Sequence, residues 1–149
     1  MLWSVRRVPT QWRLIFDGRM KSNCTIFLID DDTDDQEIFA LALAEIDNSF
    51  TCVTAKNGFE AIDKLTQTPF RPDYIFLDLN MPRMNGKQCL LEIKKQRKLT
   101  DIPVVIYTTS SERRDKDETI AMGAAAFITK PPQLGDLIHS LKKIFVHLD

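Results

Sequence analysis

From residue 24 onward, short runs of aliphatic, β-branched and aromatic residues alternate with longer stretches in which apolar positions return every three or four residues. The short runs, at 25–29, 50–55, 73–78, 103–107 and 125–128, are rich in Ile, Val, Phe and Tyr and predict strands. The longer stretches predict helices over 34–46, 58–66, 86–98, 112–122 and 134–146. In the first helix the spacing turns Ile38, Leu41, Ala42 and Ile46 to one face; in the second it does so for Phe59, Ile62 and Leu65. The third sets Cys89, Leu90 and Ile93 inward and ends in a Lys/Arg-rich turn, where the helix dipole favours cations. Five β–α units in strict alternation predict a parallel sheet covered by helices on both faces. Pro69, Pro72, Pro82, Pro103, Pro131 and Pro132 all fall in the connections, and no repeat or linker interrupts the order. Residues 23–149 therefore read as one domain behind an extension at 1–22.

A doubly wound, flavodoxin-like sheet of five strands commonly takes the order 2-1-3-4-5, with ligands beyond the carboxyl ends of the strands at the switch point between 1 and 3. Strand 1 ends at Asp30 and Asp31, strand 3 at Asp78; Thr108 follows strand 4 and Lys130 follows strand 5. Strand 2, outside the switch point, ends in Ala55 and Lys56. Polar groups thus gather where the topology puts a site.

The acidic stretch "TIFLIDDDTDDQEIF" sharpens this. Like charges about 4 Å apart repel by roughly 1 kcal/mol in water and several times that near a protein surface. Two readings are open: a solvated helix start, whose carboxylates cap free N–H groups, or hard oxygen ligands for a divalent cation. The convergence with Asp78 favours the cation for part of the cluster.

Composition adds exclusions. With 149 residues, 44% of them hydrophobic, the chain can bury a sizeable core. Twenty basic against twenty-one acidic residues give a net charge of −1, which offers no electrostatic case for nucleic-acid binding. Arg6, Arg7, Arg13 and Arg19 concentrate the basic surplus at the amino end, leaving residues 21–149 acidic. That end lacks a secretory signal's apolar core and faintly resembles an organelle transit peptide, although a true start at Met20 is the plainer reading. No stretch approaches the ~20 apolar residues of a membrane span. Cys24, Cys52 and Cys89 are widely spaced in apolar runs and read as small buried hydrophobes in a reducing, cytoplasmic setting. His139 and His147 lie away from any cysteine, so neither zinc binding nor a Ser/His/Asp triad finds support.

Together, "FLIDDD", "YIFLDLNMPRMNG", "IPVVIYTTS" and "GAAAFITKPP" resemble the receiver domain of two-component response regulators, over about residues 24–147. The resemblance implies that Asp78 is the phosphoacceptor, that Asp30 and Asp31 are the acidic pair for Mg²⁺, and that Asn80 lends its backbone carbonyl to the metal. It implies that Thr108 and Lys130 contact the phosphoryl oxygens, that Phe127 is the aromatic switch, and that Pro131 is the proline after the lysine. Thr109 is bulkier than the smallest residues the family places there. Asp32, Asp34 and Asp35 match no role and stay with the solvated reading.

The chemistry suits the residue types. A carboxylate attacking an anionic phosphoryl group needs its repulsion offset by Mg²⁺. Lys130, a compact charge, can pair with Asp78 at rest and with the phosphoryl group later, and Thr108 offers a hydroxyl. Competing classes fit less well. A Ca²⁺ loop beginning at Asp30 wants Gly and Glu where Asp35 and Leu41 stand. An aspartyl phosphohydrolase often carries a second Asp where Asn80 stands, and a flavin site wants a phosphate-cradling loop where this one is acidic. A non-phosphorylated receiver serving as a binding module would usually have lost a site residue.

The expectation is a signalling module rather than an enzyme: a stand-alone receiver fed by a sensor histidine kinase or histidine phosphotransfer protein. Its output is expected to be a contact with a downstream protein or a second copy of the chain. The first turns of the fourth helix, "SERRDKDET", are almost wholly charged, whereas the fifth has more apolar positions than one stripe needs. The face made by helix 4, strand 5 and helix 5 is therefore the expected output surface.

Overall fold

Side-chain alternation along the strands decides the architecture. The computed structural model describes residues 24–67 and 69–148; the extension expected at 1–22 lies outside them. Five strands, β1 (Cys24–Ile29), β2 (Phe50–Ala55), β3 (Tyr74–Leu77), β4 (Val104–Thr108) and β5 (Ala126–Thr129), form one parallel sheet in the order β2-β1-β3-β4-β5. Successive residues point to opposite faces. Phe27, Ile29, Ile75, Leu77, Val104 and Ile106 meet α2 (Gly58–Thr66) and α3 (Gly86–Lys95). Ile26, Leu28, Tyr74, Phe76, Val105 and Tyr107 meet α1 (Thr33–Ile46) and α5 (Leu134–His147). The central strands are consequently apolar throughout, as a sheet covered on both sides requires.

Register brings the strand ends level. Ile29 lies opposite both Ala55 and Leu77, and Leu77 opposite Ile106. Asp30 donates its backbone N–H to Ala55 O at 3.0 Å, and Asp78 donates its own to Ile29 O at 2.9 Å. The two aspartates leave the sheet side by side.

Two helices turn differently from expectation. Along α1 the residues 38/41/42 and 39/42/43 form rival apolar stripes. It is Phe39, Ala42 and Leu43 that are buried, while Ile38 and Leu41 are 43% and 58% exposed. The Phe39 ring decides the matter, packing 5.0 Å from Phe76 and 5.3 Å from Tyr107 (centroid distances). In α2, Ala61 and Leu65 face the core, Ile62 is partly buried, and Phe59 is 57% exposed. Gly58 sets this rotation: a Cβ there would lie 2.6 Å from Met84 Sδ, so the first turn presses on Met84 and Phe59 swings outward.

Cys89, Leu90 and Ile93 are buried in α3 as expected, but the helix ends at Lys95 rather than at 98. Gln96 is extended, and a 3₁₀ turn, Arg97–Leu99, folds Leu99 into the core. At its other end α3 starts against the site. An Asn85–Gln88 capping box opens it, and a Cβ on Gly86 would lie 2.3 Å from Asp78 O and 2.5 Å from Leu79 Cα.

The helix α4 (Arg113–Ala121) is held differently, with Thr119 as its buried residue and Met122, just beyond it, packing on the core. Its carboxyl end closes in a Schellman turn: Gly123, at φ 106°, donates to Ile120 O, and Ala124 to Thr119 O. At the sheet's rim Ala55 O faces inward to Asp30 N–H, so the preceding Thr54 C=O faces out, where it accepts from Lys64 Nζ at 2.7 Å.

Two outcomes follow for stability in urea. Phe39→Ala should lower it by about 3–5 kcal/mol, whereas Leu41→Ala should change it by less than about 0.5 kcal/mol; equal losses would contradict the assigned faces. Gly86→Ala should cost about 1–3 kcal/mol as α3 is pushed off the Asp78 backbone, an effect visible as a lower urea midpoint.

Candidate functional site

The carboxyl ends of β1, β3, β4 and β5 bring Asp30, Asp31, Asp78, Thr108 and Lys130 to one end of the sheet. Carboxylate oxygens of Asp30, Asp31 and Asp78 all lie within 4.8 Å of one another. Asp30 and Asp78 are buried; Asp31 is exposed and forms the open side. Asp30 Oδ1 accepts the Asp32 N–H at 3.0 Å, and Gln36 Nε2 donates to the Asp30 carbonyl at 2.6 Å, which ties the loop to α1.

Lys130 enters from the end of β5 with its side chain almost wholly buried. Its ammonium lies 2.8 Å from Asp30 Oδ2, 2.7 Å from Asp35 Oδ2 and 3.5 Å from Asp78 Oδ2. The expected Lys130–Asp78 pair is therefore the longest of three. Asp35 also departs from expectation, because it is an ion-pair partner of Lys130 rather than a merely solvated acid. The reason is helical. Asp32 caps α1 by accepting the N–H groups of Asp34 and Asp35, which places Asp35 in the first turn, where a side chain leans back over the amino end. The cap spacing was the signal that could have revealed it. Asp32 and Asp34 remain exposed first-turn residues, as read.

Burial pushes the Asp30 carboxyl up to about 6, against the pull of Lys130 and the Asp32 amide. Burial likewise opposes the Lys130 ammonium, but its close contacts with the Asp30 and Asp35 carboxylates outweigh that and hold its pKa above the usual lysine value. The ammonium also sits 5.3 Å from the centroid of the Tyr107 ring, whose hydroxyl burial pushes up to about 12.

Thr108 ends β4 fully buried. Its Oγ1 accepts the Ser110 N–H at 3.4 Å and Asn80 Nδ2 at 3.5 Å. Asn80 N–H in turn reaches Asp78 Oδ1 at 3.3 Å. Phe127, beside Ile106 in the sheet, is half-buried against the α2–α3 core and lines a groove of about 530 Å³ next to α4. A second groove, of about 420 Å³, is lined by Leu79, Asn80, Met81, Asn85, Lys87 and Asp115. Ser110 and Lys87 were not singled out from the sequence: Ser110 is an ordinary loop hydroxyl, and the partners of Lys87, Asp115 and Glu118, lie 28 and 31 residues away.

The donor set fits a hard divalent cation. Three carboxylates converge, and Asp30 Oδ2, although buried, receives no hydrogen bond of good angle among the described residues, its compensation being the nearby Lys130 charge. Asp30, Asp31 and Asp78 have the oxygen chemistry that Mg²⁺ selects. The cysteines play no part: burial pushes Cys52 to about 11 and Cys89 to about 12. Among the described residues no helix is long and apolar enough to cross a membrane.

Comparisons with known proteins agree with this fold. The chain is 34% identical to the phosphorylated cyanobacterial phytochrome response regulator RcpA, over 83% of this chain and 91% of that one, with a TM-score of 0.76. The Mn(2+)-bound response regulator Rcp1 is 29% identical, over 81% and 91%, with a TM-score of 0.72. The transcriptional regulatory protein CpxR homolog of Haemophilus influenzae is 34% identical over 80% of this chain and 49% of its own length. The chain spans about half the length of the curated relatives it matches, or less. Residues 26–142 match the response regulator receiver domain. The chain belongs to the response regulator receiver family.

Proposed function

We propose that this receiver accepts a phosphoryl group on Asp78 from a phosphohistidine of a sensor kinase or phosphotransfer protein, in a Mg²⁺-dependent reaction. The observation that carries the reading is the convergence of Asp30, Asp31 and Asp78 with Lys130 at the strand ends. An Asp78 carboxylate oxygen attacks phosphorus, a P–O bond forms as the P–N bond breaks, and the leaving imidazole keeps its electron pair and takes up a proton. Asp30, Asp31, Asp78 and the Asn80 carbonyl would hold Mg²⁺, which would supply positive charge against the repulsion between carboxylate and phosphoryl. Lys130, 3.5 Å from Asp78, is near enough to transfer its contact from the carboxylate to the phosphoryl oxygens. Thr108 donates its hydroxyl to the same group, and Phe127 moves towards the space the threonine leaves. The face of α4, β5 and α5 then meets its partner, a downstream protein or a second copy.

That Rcp1 is described as Mn(2+)-bound and RcpA as phosphorylated supports the reading for this chain. With acetyl phosphate and Mg²⁺, intact-mass measurement should register one added phosphoryl group on the wild type and none on Asp78→Asn; an equally labelled variant would refute the assignment. Asp31→Ala should weaken Mg²⁺ binding by about tenfold or more, since one of three carboxylates is lost, as titration calorimetry can measure. Thr108→Ala should keep phosphoryl uptake yet blunt the accompanying change in amide exchange over residues 110–122.

A further inference from the structure

A cluster of charged and hydroxyl groups outside the carboxylate site joins α3, α4 and the loop after β4. Lys87 follows Gly86, whose close packing on the Asp78 backbone fixes the start of α3. Its ammonium donates to Asp115 Oδ1 and to Glu118 Oε2, both at 2.7 Å, and Arg114 closes on Glu118 Oε1 at 2.7 Å. The other Asp115 oxygen accepts the Ser110 hydroxyl at 2.6 Å. Ser110 in turn gives its N–H to Thr108 Oγ1 at 3.4 Å, while its carbonyl accepts the Thr129 hydroxyl at 3.0 Å. A continuous path of contacts therefore runs from Thr108 to Lys87.

The anchoring of α4 makes this path consequential. Thr119 is the helix's buried residue, and its carboxyl end is locked by the turn at Gly123. Little apolar surface holds the amino end, where Lys87 grips it. The hydrogen bonds to Lys87 are also the foremost cause of the lowered pKa values of Asp115 and Glu118.

We propose that Lys87 is a positioning residue, which fixes the amino end of α4 through Asp115 and Glu118 and, through Ser110, the place of the Thr108 hydroxyl. The proposal rests on Asp78 as phosphoacceptor. The Ser110–Thr108 contact is already long for an N–H···O bond. Drawing Thr108 towards a phosphoryl group on Asp78 either breaks that contact or drags the loop and Asp115 away from a lysine whose backbone is held where α3 is seated on Asp78. The first course forfeits the Thr108 contact and the second the ion pairs of Lys87; to the extent that the loop is drawn along, Lys87 opposes phosphoryl uptake, and by linkage uptake loosens α4.

The test measures beryllofluoride affinity in the presence of Mg²⁺, together with amide exchange, for wild type, Lys87→Met and Lys87→Arg, with Asp78→Asn as control. Removing two partly exposed ion pairs should raise exchange over residues 113–118 of the unliganded protein, and tighten beryllofluoride binding, each by about threefold or more. Lys87→Arg should restore both towards wild type. Raising salt from about 50 to about 500 mM should speed α4 exchange in the wild type more than in Lys87→Met, because partly exposed pairs are screened. Asp115→Asn, which keeps the side chain's shape and leaves the Lys87–Glu118 pair, should move both readouts in the same direction as Lys87→Met by a smaller factor and guards against a variant that merely folds poorly. Equal beryllofluoride affinity in wild type and both variants overturns the coupling and leaves the Asp78 reading standing. Failure of the wild type to bind beryllofluoride, with no phosphoryl uptake in the mass assay, overturns that reading and the coupling with it.

Discussion

Repulsion among carboxylates is the constraint on which the rest of this structure depends. With oxygens of Asp30, Asp31 and Asp78 within 4.8 Å, each ionised pair would cost roughly 3–4 kcal/mol at an effective dielectric of about 20. The sheet is what holds them there. Level strand ends and the hydrogen bonds Asp30 N–H to Ala55 and Asp78 N–H to Ile29 leave the backbone no freedom to spread the acids. Compensation comes from Lys130, itself buried and supported by Asp35 and the Tyr107 ring. A lysine in this position is stable as a cation only because the acids surround it, and the acids are tolerable partly because it is there.

Stability is distributed unevenly around that centre. On one side α3 is seated on backbone, with no room for even a methyl group at Gly86, while α1 is fixed by the Phe39 ring among Phe76 and Tyr107. On the other, α4 is attached through charges and a single glycine turn. Elements that move in a switch are drawn from the weakly anchored end of such a range. Lys87 of the firmly seated helix holds the first turns of the lightly anchored one, and Lys94 lies against the glycine turn at its other end.

Sequence reasoning could reach much of this. Five apolar runs in β–α alternation forced a two-sided parallel sheet, and the placement of Asp30, Asp31, Asp78, Thr108 and Lys130 at strand ends followed from topology alone. What it could not reach depended on side-chain volume and on contacts across the fold. Periodicity admits both Ile38 and Phe39 as inward residues of α1, and only the aromatic gap beside Phe76 and Tyr107 chooses between them. Nor does spacing reveal that Leu99 must return to the core and so end α3 early. Asp35 was legible in principle from the Asp32 cap, but its partner lies 95 residues away. Lys87 was not singled out and Asp115 entered only as one of the charges of the fourth helix; 28 residues separate them, and nothing local marks them as partners.

The Lys64–Thr54 hydrogen bond has a bearing beyond its own strand. Among the described residues β2, "FTCVTA", is an edge strand of β-prone sequence, and an edge of this kind is a template for pairing with another chain. An ammonium fastened to one of its outward carbonyls occupies an acceptor that an incoming strand would need and confronts that strand with charge. The two margins of the sheet are thereby made unequal: association by strand addition is discouraged at β2, and encounters with other molecules are left to helical surfaces and to the β5 side. Neutralising Lys64 by acetylation would remove this charge without touching the carboxylates at the strand ends, so the control of strand addition at β2 is separable from the chemistry of that site.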